Sequence, residues 1–203
     1  MNNIARIASA AIAASGLLSV AACGSDSEPA PAAPPAAAGV TVRSVAPAGT
    51  ATFEVSSPDV KDGTFGADNF AGAFGCTAAN HSPRVRWSGA PANAKSFAVT
   101  MFDPDAPTGS GFWHWVNWDI APTATEFDTG VTAVTGTNDA GAPEYLGPCP
   151  PSGDKAHNYR ITVLALDVPK MDLPAATPPA VASFSMSSHV IGIGQLSVSA
   201  QRP

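Results

Sequence analysis

Apolar and polar positions alternate with a period of two in several short runs of the chain, the pattern of β-strands. In Ser96 to Phe102, Phe97, Val99 and Met101 share one face, and Ala98, Thr100 and Phe102 share the other. Both faces are largely apolar, which predicts a central strand. Phe112 to Ile120 predicts a second, with His114, Val116 and Trp118 opposite Trp113, Trp115 and Asn117. Asn158 to Leu166 is a third, rich in β-branched and large apolar residues. Gln195 to Ala200 alternates Leu196, Val198 and Ala200 against Ser197 and Ser199, as an edge or one-sided strand does. Thr52–Val55 and Val85–Trp87 are shorter candidates. The strand tryptophans Trp87, Trp113, Trp115 and Trp118 are expected mostly in the core. Helix signals are few. Thr177 is a candidate cap with Pro178 at the first helical position. Val181, Phe184 and Ser188 would then line one face, and Gly192 and Gly194 would end the element. The pattern predicts a mainly β chain, an antiparallel sandwich with one or two short helices.

The 203 residues hold 20 Pro and 18 Gly, and 45% are apolar. The Pro and Gly content stays below the roughly 25–30% that marks low-complexity chains. Ten basic against 16 acidic side chains give a net charge of −6. That balance argues against a nucleic-acid binder, which needs clustered Lys and Arg. After the N-terminus no apolar run is long enough for a spanning helix.

The N-terminus reads as an export address. Met1 to Arg6 carries one basic residue, and Ile7 to Val20 is apolar or small. This is too short to span a bilayer but the right length for a secretory signal. Val20-Ala21-Ala22-Cys23 resembles the lipobox of bacterial lipoproteins, in which cleavage precedes a diacylated Cys. Residues 1–22 are therefore expected to be a lipoprotein signal peptide, with Cys23 lipidated. Ordinary Ala-x-Ala cleavage is the alternative. Residues 23–49, polar and then almost only Ala and Pro to Gly39, form a tether with nothing to bury. Residues 50–203 form the folded domain. Two acyl chains would anchor the protein to the cell membrane without a transmembrane helix.

Cys76 and Cys149 are the remaining cysteines. In an exported domain they are most simply a disulfide, the alternative being two buried thiols. Both lie in Gly/Pro-rich loops, and the few ionisable residues gather in similar loops. Asp103-Pro104-Asp105-Ala106-Pro107 holds two carboxylates between prolines that fix the backbone. After a Gly/Ser turn comes Phe112-Trp113-His114-Trp115, which can return His114 toward Asp103. Gly147-Pro148-Cys149-Pro150-Pro151 leads to His157 at the start of a strand. A carboxylate pair, two His and flanking aromatics at strand ends describe a small polar pocket with an apolar rim.

These segments, with Tyr145-Leu146, His157-Asn158-Tyr159-Arg160 and Asn80-His81-Ser82-Pro83, closely resemble the phosphatidylethanolamine-binding protein family. The match is nearest to its bacterial Raf kinase inhibitor-like branch and runs from about Phe53 to Pro203. The resemblance implies a β-sandwich on a large antiparallel central sheet, with an anion-binding pocket at one end. By motif position Asp103, His114, Pro150, His157 and Tyr159 would line it, with Tyr145 nearby. It also implies ligands such as phosphate-like or carboxylate anions and phospholipid head groups, and no cofactor. It supports the Cys76–Cys149 disulfide, which matches exported bacterial relatives. Two departures stand out: Asn117-Trp118-Asp119 replaces the usual run of Val before Asn, and Asn158 replaces an Arg after the second His. Alternation puts Arg160 on the same face as Asn158, so Arg160 is a candidate substitute for that charge.

Three rivals follow from the same residues. Asp103, His114 and His157 make a metal triad on paper. Asp103 and His157 have the chemistry for acid–base work, but neither a Gly-x-Ser-x-Gly elbow nor a Gly-rich phosphate loop is present. A rigid β domain on a lipid tether also suits a protein-binding inhibitor. The expected function is a membrane-anchored binding protein without turnover. In it Asp103 and His114 form an ion-paired wall, His157 donates to the anion, and Tyr159 and Tyr145 add hydrogen bonds or cover. Affinity would rise as the pH falls through the His range, about 6.5.

Overall fold

The computed structural model describes residues 43–202, which belong to one compact unit. Cys23, the signal segment and most of the expected tether lie outside the described residues. The elements in order are β1 (Ala51–Thr52), β2 (Glu54–Ser56), β3 (Val60–Lys61), β4 (Thr64–Phe65), β5 (Val85–Ser88), β6 (Ser96–Asp103), β7 (Phe112–Ile120), β8 (Glu126–Phe127), β9 (Val134–Thr135), β10 (His157–Leu166), α1 (Pro179–Ser187) and β11 (Val190–Ala200). One 3-10 turn, Ala67–Asn69, precedes β5.

The strands form two sheets. The large one runs β3-β4-β11-β10-β6-β7-β9, with β1 added beside β11, and the small one runs β2-β5-β8. Pairing is antiparallel except where β1 and β4 run parallel to β11. The sheets pack face to face. Phe97, Val99 and Met101 of β6, with Tyr159, Ile161 and Val163 of β10, meet Val55, Val85, Trp87 and Phe127 of the small sheet in one core. A second core lies on the outer face of the large sheet, where Ala98, Val116, Trp118, Leu164 and Leu166 pack under Ala182 and Met186 of α1. Val45 and Ala46 pack against it too, so ordered packing starts within the stretch read as tether. The described residues belong to one compact unit with two hydrophobic cores of its own, the condition for folding alone.

The mainly β sandwich expected from the alternation is the observed architecture, and both faces of β6 are as read. Three local expectations are not met. The strand expected at Gln195–Ala200 starts at Val190 and lies between β10 and the parallel pair β1 and β4, so it is not an edge. Gly192 and Gly194 do not end the helix. They sit inside β11, where a Cβ would collide with Pro91 at the first and with Val55 and Phe53 at the second. Close approach of neighbours, not chain reversal, requires glycine there. The helix is shifted by one residue. Pro178 is extended (ψ 141°) because Pro179 follows it, a residue before proline being driven out of the helical region. Pro179, Ala182 and Met186 are buried instead of Val181 and Phe184, which are 51% and 79% exposed.

Candidate functional site

The three chemistry-bearing loops meet at one end of the large sheet. Asp103 closes β6 and His157 opens the antiparallel neighbour β10, so strand pairing brings them together across 54 residues of sequence. His157 Nδ1 lies 2.7 Å from Asp103 Oδ2, and both side chains are almost wholly buried. The other carboxylate oxygen of Asp103 accepts the Asp105 N–H at 2.8 Å. Tyr159 lies beside Asp103, and burial together with that carboxylate's charge pushes its pKa up. Asp105 clasps the two loops from outside: Lys155 Nζ donates to it at 2.7 Å and the Asn158 N–H at 2.9 Å. The Lys155 hydrogen bond holds the Asp105 carboxyl below its usual range.

His157 Nε2 faces Asp154 at 3.4 Å. Burial alone would lower the His157 pKa, but the Asp103 hydrogen bond and charge, with Asp154 behind them, outweigh it and raise it. A carboxylate faces each ring nitrogen, an arrangement that favours the protonated ring, which would donate from both. The expected partner of Asp103 was His114. The structure corrects this, because β7 carries a bulge where Met101 pairs with Trp115 and Phe102 with Trp113. The extra residue is His114. A bulge of this kind turns two successive side chains to one side. His114 therefore leaves the face of Val116 and Trp118, where simple alternation put it, and stands edge-on to Tyr159 with ring centroids 5.1 Å apart. Trp113 takes its place beside the second core. His114 Nδ1 donates to the Leu146 carbonyl at 2.8 Å. Burial lowers its pKa against the pull of that carbonyl. The neutral ring thus carries its proton on Nδ1 and leaves Nε2 as an acceptor.

The loop from Tyr145 to Pro151 forms the opposite wall. Cys76 and Cys149 are joined, Cα atoms 6.0 Å apart, tying it to the Phe74–Gly75 turn. Asn80, read in the sequence only as part of a motif, braces it from behind. Its amide donates to the Tyr145 carbonyl at 2.9 Å, and its oxygen accepts the Gly147 N–H at 2.8 Å. Gly147 is required because a Cβ would collide with the backbone of Asn69, Phe70 and Ala71.

Asp103, His114, Pro150, His157 and Tyr159 line one cavity of about 380 Å³. Tyr145 does not. Its ring is buried against Trp115, its hydroxyl donates to the Asn69 carbonyl at 2.9 Å, and it borders a separate groove. Arg160 is not there either. Asn158 and Arg160 do share a face, but it is the outer one, away from Tyr159. The residue that sequence reasoning missed is Arg202. It lines the cavity, its Nη1 donates to the Phe74 carbonyl at 3.3 Å, and its buried Nε has no partner among the described residues. An arginine at the end of the chain gives no local signal; only β11 running back beside β10 brings it to the cavity. The cavity thus holds the paired His157 and Asp103, a His114 whose pKa burial lowers, a Tyr hydroxyl and an arginine with no carboxylate partner among the described residues. Among the described residues no group of three His, Cys, Asp or Glu side chains is placed to hold a metal. No described helix is long and apolar enough to cross a membrane.

Comparison with known proteins gives a consistent assignment. The family model for phosphatidylethanolamine-binding protein matches residues 56–201. UPF0098 protein YbcL of Escherichia coli is 38% identical over 157 residues, 72% of this chain and 86% of its own length. Its crystal structure, described as that of a new member of the mammalian PEBP family, superposes with a TM-score of 0.70 over 74% of this chain and 99% of that one, at 35% identity. LppC of Mycobacterium tuberculosis, which carries a lipoprotein name, is 36% identical over 157 residues, 76% of this chain and 75% of its own length. The chain belongs to the phosphatidylethanolamine-binding protein family.

Proposed function

We propose that the protein is a lipid-anchored binding protein that takes a small anionic or phosphorylated ligand in the cavity at the end of β6, β7 and β10, without turnover. The observation that carries this reading is Arg202, a cation with no carboxylate partner among the described residues, in a cavity with an apolar rim. An unpaired guanidinium is a fork of donors that suits phosphate or carboxylate oxygens. His157 is already committed to Asp103 and Asp154, so it orients the wall more than it supplies net charge. Deep burial of the His157–Asp103 pair favours binding over hydrolysis. The lipoprotein name of one relative supports the anchor read at Cys23. A membrane-held binder of this kind would suit a regulator or inhibitor of a partner protein.

The test is calorimetric titration of the domain from residue 40 onward with phosphate, phosphoethanolamine and phosphotyrosine, repeated on Arg202→Gln and His157→Ala. Binding should weaken at least tenfold in Arg202→Gln. It should also strengthen as the pH falls below about 6.5, because the depressed His114 gains its second proton only there. Equal affinity in the wild type and Arg202→Gln, or no binding of any of the three anions, would refute the reading and direct attention to protein partners.

A further inference from the structure

We infer that the outer face of the large sheet carries a second binding site, for a small amphipathic anion, separate from the cavity at the strand ends. Helix α1 has nine residues, about 13 Å at 1.5 Å per residue. Strand β10 beneath it has ten, about 33 Å. The helix therefore covers only part of the face. Leu164 and Leu166 lie under it, while Thr162 and Arg160 continue beyond its reach. What remains is a cavity of about 610 Å³ between α1, the sheet and the segment Arg43–Pro47.

Its lining has two characters. The floor is polar: Thr100, Thr162 and Gln195 lie on three adjacent strands, with Gln195 Nε2 donating to Thr162 Oγ1 at 3.1 Å. The wall is apolar and aromatic. Phe102 and Trp113 pack with ring centroids 4.7 Å apart, and Phe184 of α1 is 79% exposed at the rim. Between them rises Arg160, set in the middle of the sheet opposite Phe102 on one side and Ser197 on the other. It has no ion pair or hydrogen bond of its side chain among the described residues. Arg43 is a second cation in the same lining, and no Asp or Glu lines this cavity. That is unusual in a chain where 16 acidic residues outnumber ten basic ones. Two arginines with no acid, against an aromatic wall, recognise one negative group on an apolar body. A phosphate or a small sugar acid would leave the Phe102–Trp113–Phe184 wall uncovered, and an uncharged apolar molecule would leave the half-buried Arg160 without an anion. The ligand class that satisfies both is a carboxylate or similar anion with an aliphatic or aromatic tail.

Trp113 reports on this cavity, because it is half-buried there while Trp87, Trp115 and Trp118 are buried in the cores. The experiment titrates the domain with decanoate and with decanol while following tryptophan emission. Saturable binding of decanoate is expected, with Arg160→Gln weakening it at least tenfold and decanol binding at least tenfold more weakly than decanoate. Phe184→Asp, at an exposed rim position, should also weaken it, and this variant guards against a folding defect in Arg160→Gln. Unchanged affinity in both Arg160→Gln and Phe184→Asp, or equal binding of decanol, would overturn the assignment.

Discussion

Replacing Asp103 with Ala removes the carboxylate that organises the strand-end cavity. Two bonds go at once: the 2.7 Å contact with His157 and the 2.8 Å bond from the Asp105 N–H. His157 is 1% exposed, so water does not replace the lost partner. Breaking a buried pair by removing one member costs about 3–5 kcal/mol, mostly because the other charge is stranded. For a domain of this size that is a fall in melting temperature of about 6–20 °C. The effect has a pH signature. A histidine whose pKa is higher in the folded state stabilises the fold fully below its unfolded value, about 6.5, and loses that contribution as the pH rises through the folded value. The wild-type His157 is raised in this way. In Asp103→Ala burial dominates and its pKa falls. The stability difference between the two proteins is therefore largest near pH 6 and narrows above neutrality, without vanishing, since a neutral His157 still donates to Asp103. Urea unfolding between pH 6 and 9, with NMR titration of the His157 ring, measures both. A difference below about 1 kcal/mol at pH 6, far under the cost of a broken buried pair, would refute the reasoning, as would an unmoved His157 titration.

Opening the Cys76–Cys149 bridge frees a loop of sequence separation 73. Loop entropy puts an upper figure of about 4–5 kcal/mol on the loss, to be read as the change in urea midpoint of the Cys76→Ser, Cys149→Ser double variant. Gly147→Ala should cost about 1–3 kcal/mol by overpacking, since its methyl would meet backbone atoms of residues 69–71; an unchanged unfolding midpoint would contradict that contact. Cys23→Ser should move the protein from the membrane to the soluble fraction, and mass spectrometry should find acyl chains on Cys23 of the wild type.

The sandwich was legible because β6 and β10 carry their faces openly. Phe97, Val99 and Met101, and Ile161 and Val163, all turn to the core between the sheets as their alternation requires. The cavity was legible as a set of loops but not as a set of contacts. Proline-bounded loops and strand-end histidines mark where polar groups gather and pointed to Asp103, His114 and His157; Pro150 and Tyr159 came with the family resemblance, and all five line one cavity. Which histidine meets Asp103 depends on one extra residue in β7, and nothing in Phe112–Trp118 announces a bulge. The glycines of β11 misled for a similar reason. A glycine needed for close approach looks, in sequence, the same as one that ends a helix, and only Pro91, Phe53 and Val55 pressing on Gly192 and Gly194 tell them apart.

The same geometry changes the meaning of the asparagine at position 158. Successive residues of a strand point to opposite sides. Since His157 and Tyr159 face the cavity, Asn158 and Arg160 face away from it. Arg160 could not stand in for a missing charge in the pocket, however close it lies in sequence. Asn158 instead belongs to the outer clasp, where its N–H meets Asp105 beside Lys155. The cation in the cavity comes from the other end of the fold. β11 pairs with β10 along its whole length, bringing Ala200 opposite His157, and two residues later the chain delivers Arg202 between Phe74 and the Cys76–Cys149 bridge. Antiparallel pairing thus sorts the arginines by face. Arg202 lines the strand-end cavity and Arg160 the outer one, and a substitution at either should leave binding at the other proposed site intact.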